Sequence, residues 1–589
     1  MVAIERPVSS PTNAASFGSD AVAETLRALD IPFIALNPGA SFRGLHDSLV
    51  NYLGNERPRM LLCLHEEHAV AIAQGYAKVT GRAMAVAVHS NVGLFHATMA
   101  IFNAWCDRMP VIVLGATGPV DAPQRRPWID WIHTARDQGA VVRNYVKWDD
   151  QPASPEAARE ALLRAAWLAQ TAPRGPVYVN LDAGMQEAQL DASLLPLDTA
   201  RFMPPAPIAA PEAGLRRAAE MLQAAKRPVL LIGRVSRDER AWNARVALAE
   251  ALSALVVTDL KVGAAFPTDH ALHAGAPGIY VGAEAAQAIR EADVILSLDW
   301  VDLAGTLRTA CGGQPAAKII QVSLDHLIHN GWSMDHQGLP PIDLFLAAEP
   351  DTVVPGLVAA LGKHAAQSAP ISRTAQAVAA SADGKLRTDD LVLGLRRALG
   401  ARLVSLAHLP LSWNAASWPL KHPLDFLGSD GGGGIGGGPG ISVGAALALR
   451  GSGRLPIGIC GDGDFLMGAT SLWTAVHYRI PLLVVVANNR SFYNDEVHQE
   501  RMARMRGRSV ENKWIGQRIS DPDIDLAGLA RAQGALGIGP VTRPEELEPA
   551  FVKAIAAVEA GGVAVVDVRV EPGYAPAMAA ALTRGASKP

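Results

Sequence analysis

The chain has 589 residues, of which 49% are hydrophobic, and its formal net charge is −4. This length suggests about three or four globular domains, with enough apolar residues to build buried parallel sheets. The net charge excludes the global basic field that drives nucleic-acid binding, so we expect no nucleic-acid partner.

The N-terminal segment and the cysteines indicate where the protein works. Residues 1–18 are polar and contain prolines without an apolar core, which predicts no signal peptide. The strongest apolar runs, such as residues 481–487, are far shorter than the roughly 20 residues of a transmembrane helix. The four cysteines are widely spaced and form no Cys-x-x-Cys pair, which is typical of a reducing compartment and predicts no structural zinc. We therefore expect a cytoplasmic protein without a membrane partner.

Short β-branched runs alternate with alanine-rich helical stretches, which indicates an α/β fold with parallel sheets. The runs are residues 83–89, 111–115, 177–181, 229–233, 255–260, 294–298, 319–324, 457–460, 482–487 and 563–570. Stretches from about residue 185 to 214 and from about 362 to 387 break the pattern and are predicted linkers, and the last dozen or so residues are a predicted loose tail. We predict three doubly wound parallel-sheet domains at residues 15–190, 205–360 and 385–575.

In the first block, a pair of glutamates opens a helix at the end of a strand-like run. Glu66 and Glu67 lie between His65 and His68, and the helix continues through Gly75. A carboxylate at such an edge either takes part in acid–base chemistry or complements the positive helix N-terminus. The zinc-protease motif His-Glu-x-x-His is excluded, because His65 and His68 are three positions apart rather than four.

Two other polar residues of the first block stand at the ends of strands or loops. His89 follows the next strand, where a histidine is either structural or a proton-transfer group. Ser41 ends the loop Asn37-Pro38-Gly39-Ala40-Ser41, which is either a turn or a binding loop.

In the third block, an acidic and an amide side chain follow consecutive strand-like runs. Asp462 lies in Gly461-Asp462-Gly463-Asp464 at the end of one run, and Asn489 ends the next run 27 positions later. Because both strand ends of a parallel strand–helix–strand unit lie at one edge of the sheet, the two side chains can share one Mg²⁺ or Ca²⁺. The two glycines let the backbone turn sharply and approach an anion closely.

A glycine-rich stretch, residues 431–440, precedes this pair by one strand. Composition alone would make it a flexible linker. We expect a helix to begin after it, near Ile441.

Together these segments resemble the thiamine diphosphate (ThDP)-dependent 2-oxo acid decarboxylase and carboligase superfamily, which includes benzoylformate decarboxylase and acetolactate synthase. The likeness covers nearly the whole chain, and its specific motifs lie in the first and third blocks. It implies a pyrimidine-binding domain, a central Rossmann-like domain and a diphosphate-binding domain. The central block has no Gly-x-Gly-x-x-Gly after its first strand, so it does not demand NAD, and no feature indicates FAD.

The resemblance implies roles for residues of the third block. The Mg²⁺ ligands would be Asp462, Asn489 and the backbone carbonyl of Ser491. Gly437 would offer its carbonyl to the aminopyrimidine, and either Pro439 or Ile435 would support the bent cofactor. The implied cofactor-binding set is Ile435, Gly437, Pro439, Gly461, Asp462, Gly463, Asp464, Asn489 and Ser491.

In the first block, the resemblance implies that Glu66 is the catalytic carboxyl group. The family's glutamate precedes a Gly-Tyr-Ala motif, and Glu66 stands nine positions before Gly75. That carboxyl would hydrogen-bond the aminopyrimidine and so activate ThDP. Glu67 is the competing candidate.

The resemblance also implies that His89 and Ser41 are catalytic. His89 would transfer protons, as the corresponding histidine of benzoylformate decarboxylase does. Ser41 would bind the substrate carboxylate, although it is displaced by one position from the family's serine. Arg43 and His46 are alternative carboxylate ligands.

These roles predict ThDP- and Mg²⁺-dependent decarboxylation of a 2-oxo acid, as in benzoylformate decarboxylase, with carboligation to a carbonyl acceptor as a further outcome. The alternatives are an acetolactate synthase-like carboligase and a non-catalytic regulatory protein, and the retained Glu66 argues against the latter. Residues 299–304 contain no histidine where benzoylformate decarboxylase has its second one, which argues against the same substrate. Relatives share active sites between subunits, so we expect a homodimer or homotetramer.

Overall fold

The computed structural model describes residues 5–8, 14–191, 196–328, 338–361, 380–381, 383–574 and 578–579. Most of the second predicted linker and of the predicted tail lies outside these residues, as does part of the N-terminal segment. In the described part of the chain, no helix is both long and apolar enough to cross a bilayer.

The first sheet has six parallel strands in the order β2-β1-β3-β4-β6-β5. Its strands are β1 Phe33–Leu36, β2 Arg59–Leu62, β3 Met84–Ala87, β4 Val111–Thr117, β5 Asp149–Asp150 and β6 Val177–Asp182. Its helices are α1 Gly18–Ala28, α2 Arg43–Asp47, α3 Glu66–Thr80, α4 Ser90–Cys106, α5 Ile129–Ile132, α6 Pro155–Gln170 and α7 Ala183–Glu187. Alternate residues of β3 enter different cores, with Val86 in one and Ala85 in the other, so helices cover both faces.

The second sheet has five parallel strands in the order β11-β10-β9-β7-β8. Its strands are β7 Pro228–Ile232, β8 Leu255–Val257, β9 Val294–Leu298, β10 Lys318–Val322 and β11 Leu344–Leu346. Its helices are α8 Glu212–Gln223, α9 Glu239–Leu252, α10 Ala283–Glu291, α11 Leu303–Cys311 and α12 Pro350–Leu361. Leu296 and Ile295 of β9 enter cores on opposite faces.

The third sheet also has five parallel strands, in the order β12-β13-β14-β16-β15. Its strands are β12 Val404–His408, β13 Leu455–Gly461, β14 Leu482–Asn488, β15 Leu536–Val541 and β16 Val563–Arg569. Its helices are α13 Thr388–Leu399, α14 Gly437–Ala448, α15 Asp462–Gly468, α16 Ser471–His477, α17 Tyr493–Met505, α18 Leu526–Ala532 and α19 Pro544–Glu559. The prediction of three parallel-sheet α/β domains is confirmed.

The first and third sheets share one hydrophobic core, which contains Val86 of β3 and Val484 of β14. Helices α3 and α14 cross at very short range inside it. A Cβ added at Gly75 would lie 2.0 Å from the carbonyl oxygen of Ile441, and one at Gly444 would lie 1.9 Å from that of Ile72. The close crossing holds the N-terminus of α3 beside the glycine-rich stretch.

Several element bounds differ from the predictions. Strand β3 ends at Ala87, so His89 lies outside it and directly precedes α4. Helix α14 begins at Gly437, four residues before the expected start at Ile441. Pro439 therefore occupies the third position of the helix, where the missing N–H costs no intrahelical bond. The first predicted linker is helical at both ends, in α7 and α8, and its residues 192–195 lie outside the described part of the chain.

Candidate active site

Ser41 and His89 meet at the C-terminal edge of the first sheet. Ser41 lies buried in a short 3-10 turn, and its Oγ is 2.9 Å from Nδ1 of His89. The backbone of Gly39 passes directly against the imidazole, since a Cβ there would lie 2.2 Å from Cβ of His89. The loop that suggested a turn and the histidine after β3 thus form one hydrogen-bonded pair.

A second histidine packs edge-on against His89. The ring centroids of His89 and His133 are 4.6 Å apart, and the rings are inclined by 77°. Burial and the charge that His133 can carry lower the pKa of His89, and Glu66 opposes that shift. His89 is therefore a neutral imidazole at neutral pH, able to accept a proton.

Glu66 and Glu67 face different parts of the molecule. Glu66 is the first residue of α3 and is 6% exposed, and its Oε2 lies 3.0 Å from Nδ1 of His96. Burial and the charge of Asp464 raise the pKa of Glu67, so that side chain is directed toward the third domain of the same chain. Both glutamates also lie in the first turn, where the helix dipole favours them. His65 caps the helix by accepting the N–H of Glu67 at 3.2 Å.

Asp462, Asn489 and Ser491 come together at the C-terminal edge of the third sheet. The N–H of Ser491 donates both to Oδ2 of Asp462, at 3.1 Å, and to Oδ1 of Asn489, at 2.9 Å. Burial raises the pKa of Asp462 to about 6, and the groups that oppose this rise are backbone amides near residues 462, 463, 490 and 491.

This arrangement fits a hard cation. Oδ2 of Asp462 and Oδ1 of Asn489 lie close together, because both accept the N–H of Ser491, and the buried Asp462 carboxylate would be stabilised by positive charge placed beside it. A carbonyl of the neighbouring Ser491 could complete the protein's share of the coordination, and phosphate and water oxygens suit the remaining positions of Mg²⁺.

Asp464 holds the glycine-rich stretch in a turn before α14. Its Oδ1 accepts the N–H of Gly436 at 2.7 Å and that of Gly438 at 3.3 Å. Gly436 has a φ of +104°, a conformation that favours glycine. A Cβ at Gly438 would lie 2.2 Å from Oδ2 of Asp464. The stretch is therefore an anchored turn that leaves no room for a side chain at Gly438, and composition alone gave the wrong picture of it.

A buried histidine supports Asp464 from the next strand. Nε2 of His408, the last residue of β12, lies 3.1 Å from Oδ2 of Asp464. Burial alone would lower the pKa of His408, but the charges of Asp464 and Asp430 outweigh it and raise that pKa. His408 and Asp464 thus form a buried ion pair beneath the glycine turn.

A cavity of about 1030 Å³ opens at the C-terminal edge of the third sheet. Its walls include Asp462, Asn489, Ser491 and Ile435, together with loops of the second domain around Tyr280. Among the described residues, none before Leu260 lines it. Glu66, His89 and Ser41 therefore do not share a cavity with the Asp462 cluster within one chain.

The two candidates for the cofactor-supporting side chain occupy different places. Ile435 is exposed and lines the cavity. Pro439 is buried against α15, because a Cβ at Gly468 would lie 2.9 Å from its ring. Gly437 is the first residue of α14. Gly461 and Gly463 flank Asp462, and Gly461 has an ordinary negative φ of −71°. Position 463 must be small, because a Cβ there would lie 2.5 Å from the ring of Phe492.

Sequence reasoning missed three histidines of these clusters: His96, His133 and His408. His96 follows His89 by seven positions, which is about two helical turns and the same helix face. His408 ends β12, a strand of the same parallel sheet as Asp462, and the strand-end argument that linked Asp462 to Asn489 did not reach it because the run at 404–408 was not predicted. His133 directly follows the four-residue helix α5, and the sequence gave no signal for it.

Models of thiamine pyrophosphate enzymes, which use the cofactor ThDP, match in three parts: the N-terminal binding domain at residues 17–141, the central domain at 215–330 and the C-terminal binding domain at 410–568. Benzoylformate decarboxylase of Pseudomonas aeruginosa is 26% identical over 519 residues, which cover 85% of this chain and 90% of that protein. A probable acetolactate synthase large subunit of Methanocaldococcus jannaschii is 25% identical over 564 residues, covering 91% and 90%.

Solved structures share the fold. The ThDP-dependent 4-hydroxybenzoylformate decarboxylase of Rhodococcus jostii RHA1 aligns with a TM-score of 0.77 at 23% identity, covering 95% of this chain and 100% of that one. The three sheets, the three matched domains and the full-length relatives agree, and the chain belongs to the superfamily of ThDP-dependent enzymes that includes the 2-oxo acid decarboxylases and the acetolactate synthases.

Proposed function

We propose that this enzyme decarboxylates a 2-oxo acid with ThDP and Mg²⁺ and releases an aldehyde, with carboligation to a second carbonyl compound as a further outcome. The observation that carries this proposal is the 2.9 Å contact between Ser41 and His89. It supports the proposal because a hydroxyl lies beside a group that can hold or release a proton, and decarboxylation to an aldehyde calls for both carboxylate binding and proton transfer.

In this proposal the residues of the first domain act on the substrate and on the pyrimidine end of the cofactor. Ser41 donates its hydroxyl to the substrate carboxylate, and His89 delivers a proton to the product. Glu66 presents its carboxyl to the aminopyrimidine. Arg43 is a weaker candidate for carboxylate binding, because it forms an ion pair with Glu187 at 2.5 Å.

The residues of the third domain hold the other end of the cofactor. Asp462, Asn489 and the carbonyl of Ser491 bind Mg²⁺, and the anchored turn supplies the Gly437 carbonyl. Ile435 is favoured over Pro439 as the supporting side chain, because it lines the cavity. Bound ThDP supplies the electron sink that accepts the electron pair left when CO₂ departs.

We propose that two chains share each active site in a homodimer or homotetramer. Within one chain, the Glu66 and His89 cluster and the Asp462 cluster do not share a cavity. Leu64, Val92 and Phe95 are exposed close to Glu66, and exposed large apolar side chains of this kind favour a protein interface. The domain bounds of 15–190, 205–360 and 385–575 and a cytoplasmic location stay predictions.

An acetolactate synthase-like carboligase is the second candidate. Residues 299–304 carry no histidine, and Trp300 is instead buried there with its indole N–H bonded to Thr306 at 2.9 Å. This part of the chain therefore lacks the second histidine that a benzoylformate decarboxylase-like mechanism would use.

A substrate screen separates the two reactions. Pyruvate, benzoylformate, phenylpyruvate and oxalyl-CoA would each be incubated with ThDP and Mg²⁺, with and without an aldehyde acceptor, and CO₂, aldehyde and carboligation products measured. The proposal expects CO₂ and an aldehyde from at least one of these 2-oxo acids. Acetolactate from pyruvate without free aldehyde would favour the second candidate, and no turnover of any 2-oxo acid would contradict both.

The metal site is tested separately by titrating ThDP into Asp462→Ala in excess Mg²⁺ by calorimetry. We expect loss of cofactor retention, because the substitution removes the carboxylate that faces the cation. An affinity equal to that of the wild-type enzyme would contradict the assigned site.

A further inference from the structure

Glu66 is held by a histidine of a different helix. Nδ1 of His96, in α4, lies 3.0 Å from Oε2 of Glu66. The Glu66 side chain is 8% exposed, whereas that of His96 is 57% exposed. The imidazole therefore stands at the solvent side of a carboxyl group that is otherwise enclosed.

The imidazole of His96 is itself fixed in place. It stacks on the ring of His65, with centroids 4.8 Å apart and planes inclined by 21°. His65 is locked in turn, because its Nδ1 accepts the N–H of Glu67 at the start of α3. The contact with Glu66 thus belongs to an ordered cluster and not to a freely rotating surface side chain.

Backbone encloses the other oxygen of the same carboxyl group. Gly93 lies one helical turn before His96, and a Cβ on it would come within 3.0 Å of Oε1 of Glu66. Glu66 is therefore bounded on two sides by α4, by a hydrogen-bond partner at Oε2 and by a bare Cα at Oε1. These contacts limit the rotamers open to a glutamate with three side-chain torsions.

We propose that His96 is a positioning residue for Glu66. It engages Oε2 and thereby keeps Oε1 available, in a fixed direction, for the nitrogen of the aminopyrimidine. This inference rests on the proposed role of Glu66 toward ThDP. It matters because a group that activates the cofactor through a hydrogen bond is effective only when that bond is correctly oriented before the cofactor arrives.

Two substitutions separate the hydrogen bond from the stacked ring. His96→Phe keeps a ring for His65 to stack on but removes the donor, and His96→Asn keeps an N–H donor near the same place but removes the ring. His477→Phe is a matched control, because His477 also stacks on an aromatic ring, that of Trp473 at 4.7 Å, and also contacts a glutamate, Glu5 at 3.1 Å.

The readouts are the ThDP dissociation constant, by calorimetry in excess Mg²⁺, and the rate at which the C2 proton of bound ThDP exchanges with deuterium, by NMR after acid quench. We expect His96→Phe to slow exchange by about 10- to 100-fold, the usual effect of losing a partner that orients a functional group. His96→Asn should restore most of the rate, and the control should match the wild-type enzyme.

Gly93→Ala provides an independent perturbation from the other side of the carboxyl group, and it should also slow exchange. Exchange in His96→Phe at the wild-type rate, or in His96→Asn as slow as in His96→Phe, would overturn the positioning role while leaving the proposed function intact. A wild-type enzyme that neither binds ThDP nor exchanges its C2 proton would overturn the proposed function and this inference together.

Discussion

Two of the proposed catalytic side chains lie directly against glycines. Gly39 faces His89, and Gly93 faces Glu66. Neither position requires a left-handed backbone, since Gly39 has an extended φ of −160° and Gly93 lies inside α4. Glycine is needed at both positions for steric reasons, because the backbone approaches the His89 and Glu66 side chains too closely to leave room for a Cβ. These glycines limit where the His89 imidazole and the Glu66 carboxyl group can lie.

Replacing Gly39 should therefore act through His89. In Gly39→Ala the new Cβ would lie 2.2 Å from Cβ of His89, so the imidazole must move away from Ser41. We expect a loss of turnover close to that of His89→Ala, about 10²- to 10⁴-fold for a group that transfers protons, with ThDP affinity retained. Gly313→Ala is the control, because a Cβ there meets no atom within 4 Å. Full activity in Gly39→Ala would show that the Ser41–His89 contact is not needed.

The lowered pKa of His89 predicts a specific pH dependence. Burial and His133 disfavour the protonated ring, so the neutral form persists below the usual value of about 6.5. The value of kcat should fall as the pH rises through this lowered pKa, because His89 can deliver a proton to the product only in its protonated form. His133→Asn should move the midpoint upward, since it removes a charge that opposes protonation. If the same change of kcat with pH persists in His89→Ala, the titrating group is not His89.

At the scale of elements, the close packing of α3 against α14 forms the contact between the first and third domains. Gly75 belongs to the motif that identified Glu66, and its place in the structure is at this crossing rather than at the reactive atoms. Gly440 contributes in the same way, because a Cβ there would lie 2.8 Å from that of Ala71. The spacing of Glu66 and Gly75 therefore reflects two things: the proposed role of Glu66 toward the cofactor, and the need for a glycine where α3 packs against α14.

Widening this crossing should destabilise the whole chain. In Gly444→Ala the added Cβ would lie 1.9 Å from the carbonyl oxygen of Ile72, and backbone cannot rotate away as a side chain can. We expect a loss of about 1–3 kcal/mol or more in the free energy of unfolding, as for other overpacked cores. Chemical denaturation would measure it, with Gly313→Ala again as the reference. Equal stability of the two variants would mean that the helices do not meet as described.

The elements that sequence predicted are those buried on both faces. The run at β14 is continuously apolar because helices cover both sides of it, and such runs are easily recognised. Strands β1, β5, β11, β12 and β15 were missed. Strands β5 and β11 have only two and three residues, and β15 contains two glycines and a proline. Strands β1 and β12 are short runs of four and five residues that the alternation did not single out, although they are largely buried. The start of α14 was missed because its signal, the anchoring of Gly436 and Gly438 by Asp464, comes from a distant segment.

The same reason limits what sequence could say of the candidate site. Asp462 and Asn489 follow strands, and strand ends of a parallel sheet are brought together by topology alone. The contacts of His96 with Glu66 and of His133 with His89 arise from tertiary packing that no local pattern encodes.

At the scale of the whole molecule, the two halves of the proposed site belong to different surfaces of one chain. The first and third domains share one core, so a hinge motion that brought Glu66 into the cavity that Asp462 lines would have to break that core. A second chain with the same structure can supply the missing half, and two-fold symmetry would then build two equivalent sites from one interface.

Complementation between inactive subunits tests this arrangement. Glu66→Ala and Asp462→Ala chains would be co-expressed with different affinity tags, and the doubly tagged heterodimer isolated. If each site takes Glu66 from one chain and Asp462 from the other, one site of the heterodimer carries both substitutions and the other carries neither.

Activity should then reappear and reach about a quarter of the wild-type value in an unfractionated mixture in which half of the dimers are mixed. Wild-type homodimers and the two parent variants set the upper and lower limits of the assay. An isolated heterodimer as inactive as its parents would contradict the shared site. Glu66 and Asp462 would then have to serve a site within one chain, which would require α3 to rearrange against α14.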